Sequence, residues 1–371
     1  MGMEHHGNAR ILTTQQADDW RQLVEDAKER DIHFEPEYLR LFEEVRNEEA
    51  RLFVFGDKET YVAYPFFIRR ADTLPFFVQF KRTKKRCLDV VSPWYFGGPI
   101  ARIDDESIEI EVYKQFLDEF HTYCVDNEII TEFARLHPFF RSRLIYPKLT
   151  TGVMSDRPVV YVDLHQDEKT VWQNFKKSNK NAITKARRLG IQVEVLGASS
   201  GLQEFQRLYN ATMKRKSAGK QYFFPPSFFE KMATLMPEST TFVCARFEGR
   251  TIASSLFLHK YGFVYYYLSG SDERFLDLCP NNVILHEAIL WARGLEYKYL
   301  VLGGGHEPYD DLFRFKRSFS DTTADFYVYK KVHDIDAYKE LCQLREAYDI
   351  SMGISSARTS YFPEYRRPPL D

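Results

Sequence analysis

Thr241-Phe-Val-Cys-Ala-Arg-Phe-Glu-Gly-Arg-Thr-Ile-Ala-Ser-Ser-Leu-Phe-Leu258 is the stretch on which the fold class turns. Two runs rich in β-branched and aromatic residues flank Glu248-Gly249, a pairing that predicts an antiparallel hairpin. Downstream, the pattern predicts a third strand over 263–269, a helix over 282–294 and a strand over 299–302. A last strand follows at 326–329. Upstream, apolar residues at helical spacing predict one helix over 170–189, stopped by Gly190, then an alternating strand over 191–195. Helices over 202–216 and 227–235 lead into the hairpin.

The first half of the chain repeats this grammar. Helices are predicted over 17–30 and after Pro36, and a hairpin from the runs 51–55 and 61–68. The loop Ser92-Pro-Trp-Tyr-Phe-Gly-Gly-Pro99, a helix over 108–128 and a strand beginning at Glu132 complete it. Each half thus runs helix, helix, hairpin, further β-segment, helix, strand. The expectation is an α+β chain, duplicated in fold although no sequence repeat is evident. The domains are placed at 8–155 and 156–332, with a tail over 333–371 packing back on the first. Met1 to His6 reads as a frayed end without the apolar core of a signal peptide, and 361–371 as irregular.

Composition narrows the function classes. Of 371 residues, 44% are hydrophobic and 28% charged, a globular mix, and 31 Phe with 23 Tyr promise large cores. A net charge of −2 supplies no global field toward nucleic acid, so DNA is not an expected partner. The scattered Cys87, Cys124, Cys244, Cys279 and Cys342 make neither a disulfide framework nor a thiolate zinc site. No apolar run approaches the roughly 20 residues that span a bilayer. No transmembrane segment is expected, and the cytoplasm is the expected location.

Three segments carry candidate chemistry. The 170–189 helix crowds Lys176, Lys177, Lys180, Lys185, Arg187 and Arg188 around an apolar stripe, with no carboxylate of its own at i,i+4 to offset them. Its plain reading is a solvated face; its functional reading is a surface for phosphate-bearing ligands, with Lys176 and Lys180 as binding residues. Thr212-Met-Lys-Arg215 ends a helix in cations, which suits either the helix dipole or an Arg215 clamp on phosphate or carboxylate, with Tyr222 shaping a wall. Gly303-Gly-Gly-His-Glu-Pro-Tyr-Asp-Asp-Leu-Phe-Arg-Phe-Lys-Arg-Ser-Phe319 puts three glycines after a strand, where backbone can approach a ligand. In it Phe313, Phe315 and Phe319 anchor the segment, and Lys316 reads either as pointing into a cleft or as a solvated lysine beside core aromatics. His259, His286 and His306 read as structural or exposed. The sequence shows no nucleophile elbow, no dinucleotide fingerprint and no metal-ligand spacing.

Several of these segments resemble the FemABX peptidyltransferases and the wider GNAT-like acyltransferase superfamily. They are 92–99, Glu132-Phe-Ala-Arg-Leu-His-Pro138, 174–190, Pro280-Asn-Asn-Val-Ile-Leu285 and 311–319, and the likeness runs from about residue 30 to 330. The resemblance implies two tandem GNAT-type domains with mixed sheets flanked by helices, and the transferase site in the second. It implies an aminoacyl- or acyltransferase acting on an amine of a cell-envelope precursor, peptidoglycan or polysaccharide. The alternatives are an acyl-CoA-dependent N-acyltransferase of another amine, and a non-catalytic binding module. The donor carbonyl arrives activated, as acyl-CoA or aminoacyl-tRNA, so the chemistry asks for no bound cofactor, no metal and no enzyme nucleophile. It asks for oxyanion stabilisation. The expected partners are the phosphate-bearing precursor and tRNA.

Residue by residue, Lys316 resembles the lysine of the family's Phe-Lys-x-x-Phe pattern at the donor end of the site, and is the catalytic candidate. Arg215 resembles an arginine that binds acceptor phosphates. Tyr222 and Tyr267 are cleft residues by position, and Asp272, Asp310 and Asp311 are the candidate bases. Two departures leave the donor open. The stretch between Arg215 and the 227–235 helix is too short for the helical arm of some Fem proteins. The segment 277–282 also lacks the glycine loop that holds CoA pyrophosphate at a helix N-terminus.

Overall fold

A computed structural model describes residues 4–6, 8–80, 86–307, 309–354 and 361–368. Met1 to Met3, Pro308 of the triple-glycine segment and the last three residues of the tail lie outside the described residues. The chain divides into two compact units, unit 1 being Met1–Asp156 with Phe326–Asp371, and unit 2 Arg157–Asp325.

The chain opens with β1 (Glu4–His6), β2 (Ala9–Leu12), α1 (Ala17–Asp26), α2 (Pro36–Arg46), β3 (Glu49–Gly56) and β4 (Tyr61–Arg70). Then come α3 (Pro75–Phe80), β5 (Leu88–Val91), β6 (Ile100–Arg102), α4 (Glu109–Asp126), β7 (Ile129–Leu136) and α5 (Ser142–Leu149). Next are β8 (Val153–Asp163), α6 (Glu168–Asn174), α7 (Lys177–Arg188), β9 (Gln192–Gly197), α8 (Ala198–Arg215) and α9 (Pro226–Leu235). The hairpin β10 (Thr240–Phe247) and β11 (Arg250–Lys260) leads to β12 (Phe263–Ser271), α10 (Pro280–Gly294) and β13 (Tyr299–Gly303). The chain closes with α11 (Asp311–Lys316), β14 (Thr323–Val332) and α12 (Ile335–Ser351).

The α+β class with mixed sheets flanked by helices is what the structure has. In unit 1 the strand order is β1-β2-β3-β4-β5-β7-β14, and in unit 2 it is β8-β13-β12-β11-β10-β9. One plan serves both. A helix pair leads into a hairpin, α1 and α2 from β2 to β3–β4 and α8 and α9 from β9 to β10–β11, and a helix crosses between two parallel strands, β5 with β7 by α4 and β12 with β13 by α10. An antiparallel strand then flanks the second of these, β14 in unit 1 and β8 in unit 2. The hairpin residues β10 and β11 are nearly all buried, because α8 and α10 both pack on them, so their pattern is continuous rather than alternating. Their two-residue turn, Glu248 at φ 50 and Gly249 at φ 74, has the left-handed backbone that matches strand twist. Val283, Ile284, Leu285, Ala288, Ile289 and Ala292 make α10 the central helix of the unit 2 core. In unit 1, α12 packs on α3, and Leu341 and Tyr365 join a cluster with Phe76, Phe77 and Ile130.

Two local expectations are corrected. Glu4–His6 is not frayed but pairs with Ala9–Ile11. The single helix over 170–189 is two helices, α6 and α7, because Phe175 and Lys176 adopt extended backbone between them. The break has a cause. Phe175 is buried with its ring 5.4 Å from Phe319, and the Lys176 N–H donates to the Ser318 carbonyl at 2.9 Å.

Candidate active site

The unit 2 sheet opens where two parallel strands part. β12 pairs with β13 only through Phe263–Tyr299, Val264–Leu300 and Tyr265–Val301. Beyond that point each strand bulges against its other neighbour, β12 at Tyr267 against β11 and β13 at Leu302 against β8. A bulge adds a residue and bends its strand, so the carboxyl ends of β12 and β13 separate. Such divergence at strand carboxyl ends is where α/β sheets form ligand crevices. The equivalent place in unit 1 is bridged by backbone: Ser92 N–H donates to Phe133 O at 2.9 Å and Gly97 N–H to Arg135 O at 2.7 Å. The loop 92–99 thus fills unit 1's gap.

A closed circuit of contacts surrounds the unit 2 opening. At the end of β12, the Ser271 carbonyl accepts from Arg215 Nη1 at 3.0 Å and from Thr212 Oγ1 at 3.2 Å, both on the last turn of α8. Ser271 Oγ donates to Asn281 Oδ1 at 2.9 Å, on the first turn of α10. The next residue, Asn282, donates from Nδ2 to Asn179 Oδ1 at 2.8 Å, and Asn179 Nδ2 donates to the Ser318 carbonyl at 3.2 Å. Two residues earlier, Lys316 Nζ donates to the Gly304 carbonyl at 2.6 Å. Arg157 Nη1 binds the carbonyls of Gly305 at 3.0 Å and His306 at 2.6 Å. The His306 ring lies edge-on to Tyr222 with centroids 6.4 Å apart, and the Tyr222 carbonyl accepts from Tyr209 of α8 at 2.7 Å. The circuit returns to the helix on which it began.

Lys316 is the unusual group of this circuit. The side chains of Phe313 and Phe319 are buried in the unit 2 core, and Lys316 between them is only 8% exposed. Burial brings its ammonium down to about 8, against a partial restoring pull from the Asp310 carboxylate. A buried ammonium near neutrality is a strong hydrogen-bond donor whose charge is weakly screened.

The structure gives the three aspartates other tasks. Asp310 caps α11: Oδ1 accepts from Phe313 N–H at 2.7 Å and Oδ2 from His306 N–H at 2.8 Å. Burial works to raise its carboxyl, but these backbone donors outweigh burial and hold it low. Gly305 makes room for this cap, since a Cβ there would stand 2.1 Å from Asp310 Oδ1. The triple glycine therefore admits a protein carboxylate and the Arg157 side chain. Asp272 is brought to about 2, first by its hydrogen bonds from Arg274. Asp311 is exposed and pairs with Arg314 at 2.5 Å. Asp272 and Asp310, held low in this way, are poor proton acceptors near neutral pH.

The remaining expected residues divide. Arg215 engages Ser271 through Nη1 alone, and among the described residues no carboxylate pairs with it. Tyr267 is buried at the β12 bulge, and Tyr222 stands opposite His306. Lys176 is exposed at the start of α7, while Lys180 Nζ donates to Gln173 O at 2.9 Å. The cation-rich helix is offset from outside: Arg187 pairs with Glu287 of α10 at 2.5 Å, and Lys185 donates to the Asp277 carbonyl at 2.7 Å. His259 is structural, bound to Thr241 Oγ1 at 2.8 Å and Tyr297 Oη at 2.7 Å. Sequence reading missed Arg157, Asn179 and Asn282. The available signal was an asparagine inside an amphipathic helix, a poor helix former that is tolerated when its amide has a buried task.

No curated protein matches this sequence. Residues 173–311 match the family model described as an acetyltransferase (GNAT) domain. Among solved structures, that of FemX aligns over 92% of this chain and 99% of its own, with a TM-score of 0.65 at 13% identity. A conserved protein of unknown function from Bacteroides thetaiotaomicron aligns over 86% and 97%, with a TM-score of 0.55 at 12% identity. The C-terminal domain of a putative lysylphosphatidylglycerol synthetase from Agrobacterium fabrum aligns over 94% and 98%, with a TM-score of 0.53 at 13% identity. At such identities the likeness is one of fold. Residues 173–311 are thus similar to an acetyltransferase (GNAT) domain, on a chain that shares the fold of FemX.

Proposed function

We propose that this protein is an aminoacyl- or acyltransferase that moves an activated carbonyl group onto an amine of a phosphate-bearing cell-envelope precursor, in the cytosol, at the unit 2 opening. The observation that carries the reading is Lys316, buried, held on Gly304 and brought to about 8 beside the separated ends of β12 and β13. The neutral acceptor amine attacks the ester or thioester carbonyl and a C–N bond forms. The oxyanion of the tetrahedral intermediate takes a hydrogen bond from the Lys316 ammonium. Collapse breaks the C–O or C–S bond, and the amine proton leaves with the departing ribose hydroxyl or thiol, directly or through water. No carboxylate base is invoked, since Asp272, Asp310 and Asp311 are already stabilised as anions or ion-paired. Arg215, Lys176 and Lys180 supply positive charge for phosphates of acceptor or donor, and Tyr222 and Tyr267 the walls.

A second reading, N-acylation of another amine from acyl-CoA, is favoured by the description of the matching family model. Thermal shift with CoA, acetyl-CoA, charged tRNA and nucleotide-sugar precursors separates the two, because a ligand of the folded state raises the midpoint. We expect a precursor to stabilise, and turnover to fall by about 100-fold or more in Lys316→Ala while the fold persists. Stabilisation by acetyl-CoA with no response to any precursor would sink the first reading in favour of the second.

A further inference from the structure

Unit 1 contains arginines that nothing in the transferase reading uses. Arg46, at the end of α2, lies with its guanidinium 4.3 Å from the centroid of Trp94 and 5.2 Å from that of Phe42. Arg135, on β7, lies 4.9 Å over the ring of Phe133. The two are joined by short routes: Trp94 is two residues from Ser92, whose Oγ accepts the Arg135 N–H at 3.0 Å. Neither guanidinium has a carboxylate partner among the described residues, and Arg46 Nη2 is buried without an acceptor.

The surrounding charges make the imbalance plain. Burial brings Arg135 down to about 10, and the neighbouring cations Arg69 and Arg46 push the same way. Arg366 is a fourth guanidinium near this place, and the carboxylates there are Asp89 and Glu48. Asp89 is committed to Arg69 and Arg366, each at 2.5 Å, and the Glu48 carboxylate is shared in attraction among Arg69, Arg46 and Arg366. Tyr361 and, to a lesser degree, Asp156 pull the other way. Four guanidinium groups thus face two carboxylates, and Arg46 and Arg135 are stacked on aromatic rings that fix their planes. Holding like charges together without a counter-ion is costly, and such sites persist where an anion completes them.

We propose that Arg46 and Arg135, beside Trp94, form a binding site in unit 1 for a dianionic phosphate group, a phosphomonoester or pyrophosphate. A dianion matches the excess of two positive charges, and a stacked guanidinium presents its edge donors to phosphate oxygens in a fixed fork. Tyr361, 47% exposed, adds a phenol at the rim. The site is separate from Lys316 and stands whether or not unit 2 transfers acyl groups.

The test is calorimetric titration of the whole protein with inorganic phosphate, with pyrophosphate and with acetate, in the absence of any acyl donor. Pyrophosphate should bind tighter than phosphate and acetate weakest. Arg135→Met and Arg46→Met should each weaken pyrophosphate by about tenfold or more, the worth of one charge-assisted hydrogen bond. Because Arg135→Met removes a buried, repelled charge, its unfolding midpoint without ligand should not fall, which guards against a trivial folding defect. Absence of pyrophosphate binding, binding unaltered in both arginine variants, or acetate binding as tightly as pyrophosphate would each overturn the proposal.

Discussion

Lys316 places stability and function in opposition within one side chain. In the unfolded chain its ammonium titrates near the ordinary lysine value of 10.5, and in the fold at about 8. Below pH 8 both states hold the proton and the burial penalty is complete. Between 8 and 10.5 the unfolded state keeps the proton that the fold has shed, so this contribution to stability rises with pH. The difference corresponds to about 3 kcal/mol. Removing the donor from the Gly304 carbonyl takes back about 1–2 kcal/mol. Lys316→Met at pH 7 should therefore be no less stable than the wild type, and up to about 2 kcal/mol more, by urea unfolding. If the ammonium is the species that serves the oxyanion, kcat/KM of the wild type should decline as pH rises through about 8. A profile flat from 7 to 9, with the acceptor kept neutral, would remove the ammonium from the mechanism.

At the scale of the element, the junction of α7, α10 and the 316–319 turn rests on side-chain amides. Asn179 is 2% exposed, so its Oδ1 has Asn282 as its source of a hydrogen bond, and its Nδ2 holds the turn that carries Lys316. Asn282→Ala should cost about 1–3 kcal/mol, the penalty of a buried acceptor left without a donor. It should also lower kcat more than KM, because the turn behind Lys316 loosens while the rim of the opening is intact. An unchanged unfolding midpoint together with unchanged kcat would show that the amide link positions nothing. This junction also explains what the sequence could disclose. The hairpin β10–β11 and helix α10 were legible because their burial is written in runs of apolar residues close along the chain. Lys316 was singled out by the likeness to a Phe-Lys-x-x-Phe pattern, but its burial was not legible, because bracketing phenylalanines suit a solvated lysine equally. The break at Phe175–Lys176 was not, since the Ser318 carbonyl that captures the Lys176 N–H lies far along the chain. Nor was β8, whose first half leaves several side chains half-buried or exposed and shows no alternation. The carboxylates looked like bases because sequence gives their identity but not the backbone donors and arginines that hold them.

For the molecule as a whole, unit 1 is assembled from two segments far apart in sequence, Met1–Asp156 and Phe326–Asp371, so its core is complete only when the second joins the first. Contacts between such distant segments slow folding, because loop closure precedes their reward. The closing contact centres on Asp89, fully buried on β5. Burial alone would raise its carboxyl, but the guanidinium groups of Arg69 and Arg366 outweigh burial and hold it low. Tyr365 Oη donates to the same carboxylate at 3.1 Å, and Arg366 also donates to the Arg70 carbonyl at 2.9 Å. A carboxyl depressed in this way stabilises the fold above the ordinary carboxylate range, and that stability is lost as pH falls through its folded value. Arg366→Met leaves Asp89 with one guanidinium in place of two. The expected cost is about 3 kcal/mol, as for a buried ion pair deprived of a partner. Acid unfolding should also begin at a higher pH, because a less depressed carboxylate takes up its proton sooner. Urea unfolding at pH 7 and at pH 5 reads both effects. Equal midpoints for variant and wild type at the two pH values would mean that the C-terminal segment lies on unit 1 without closing it.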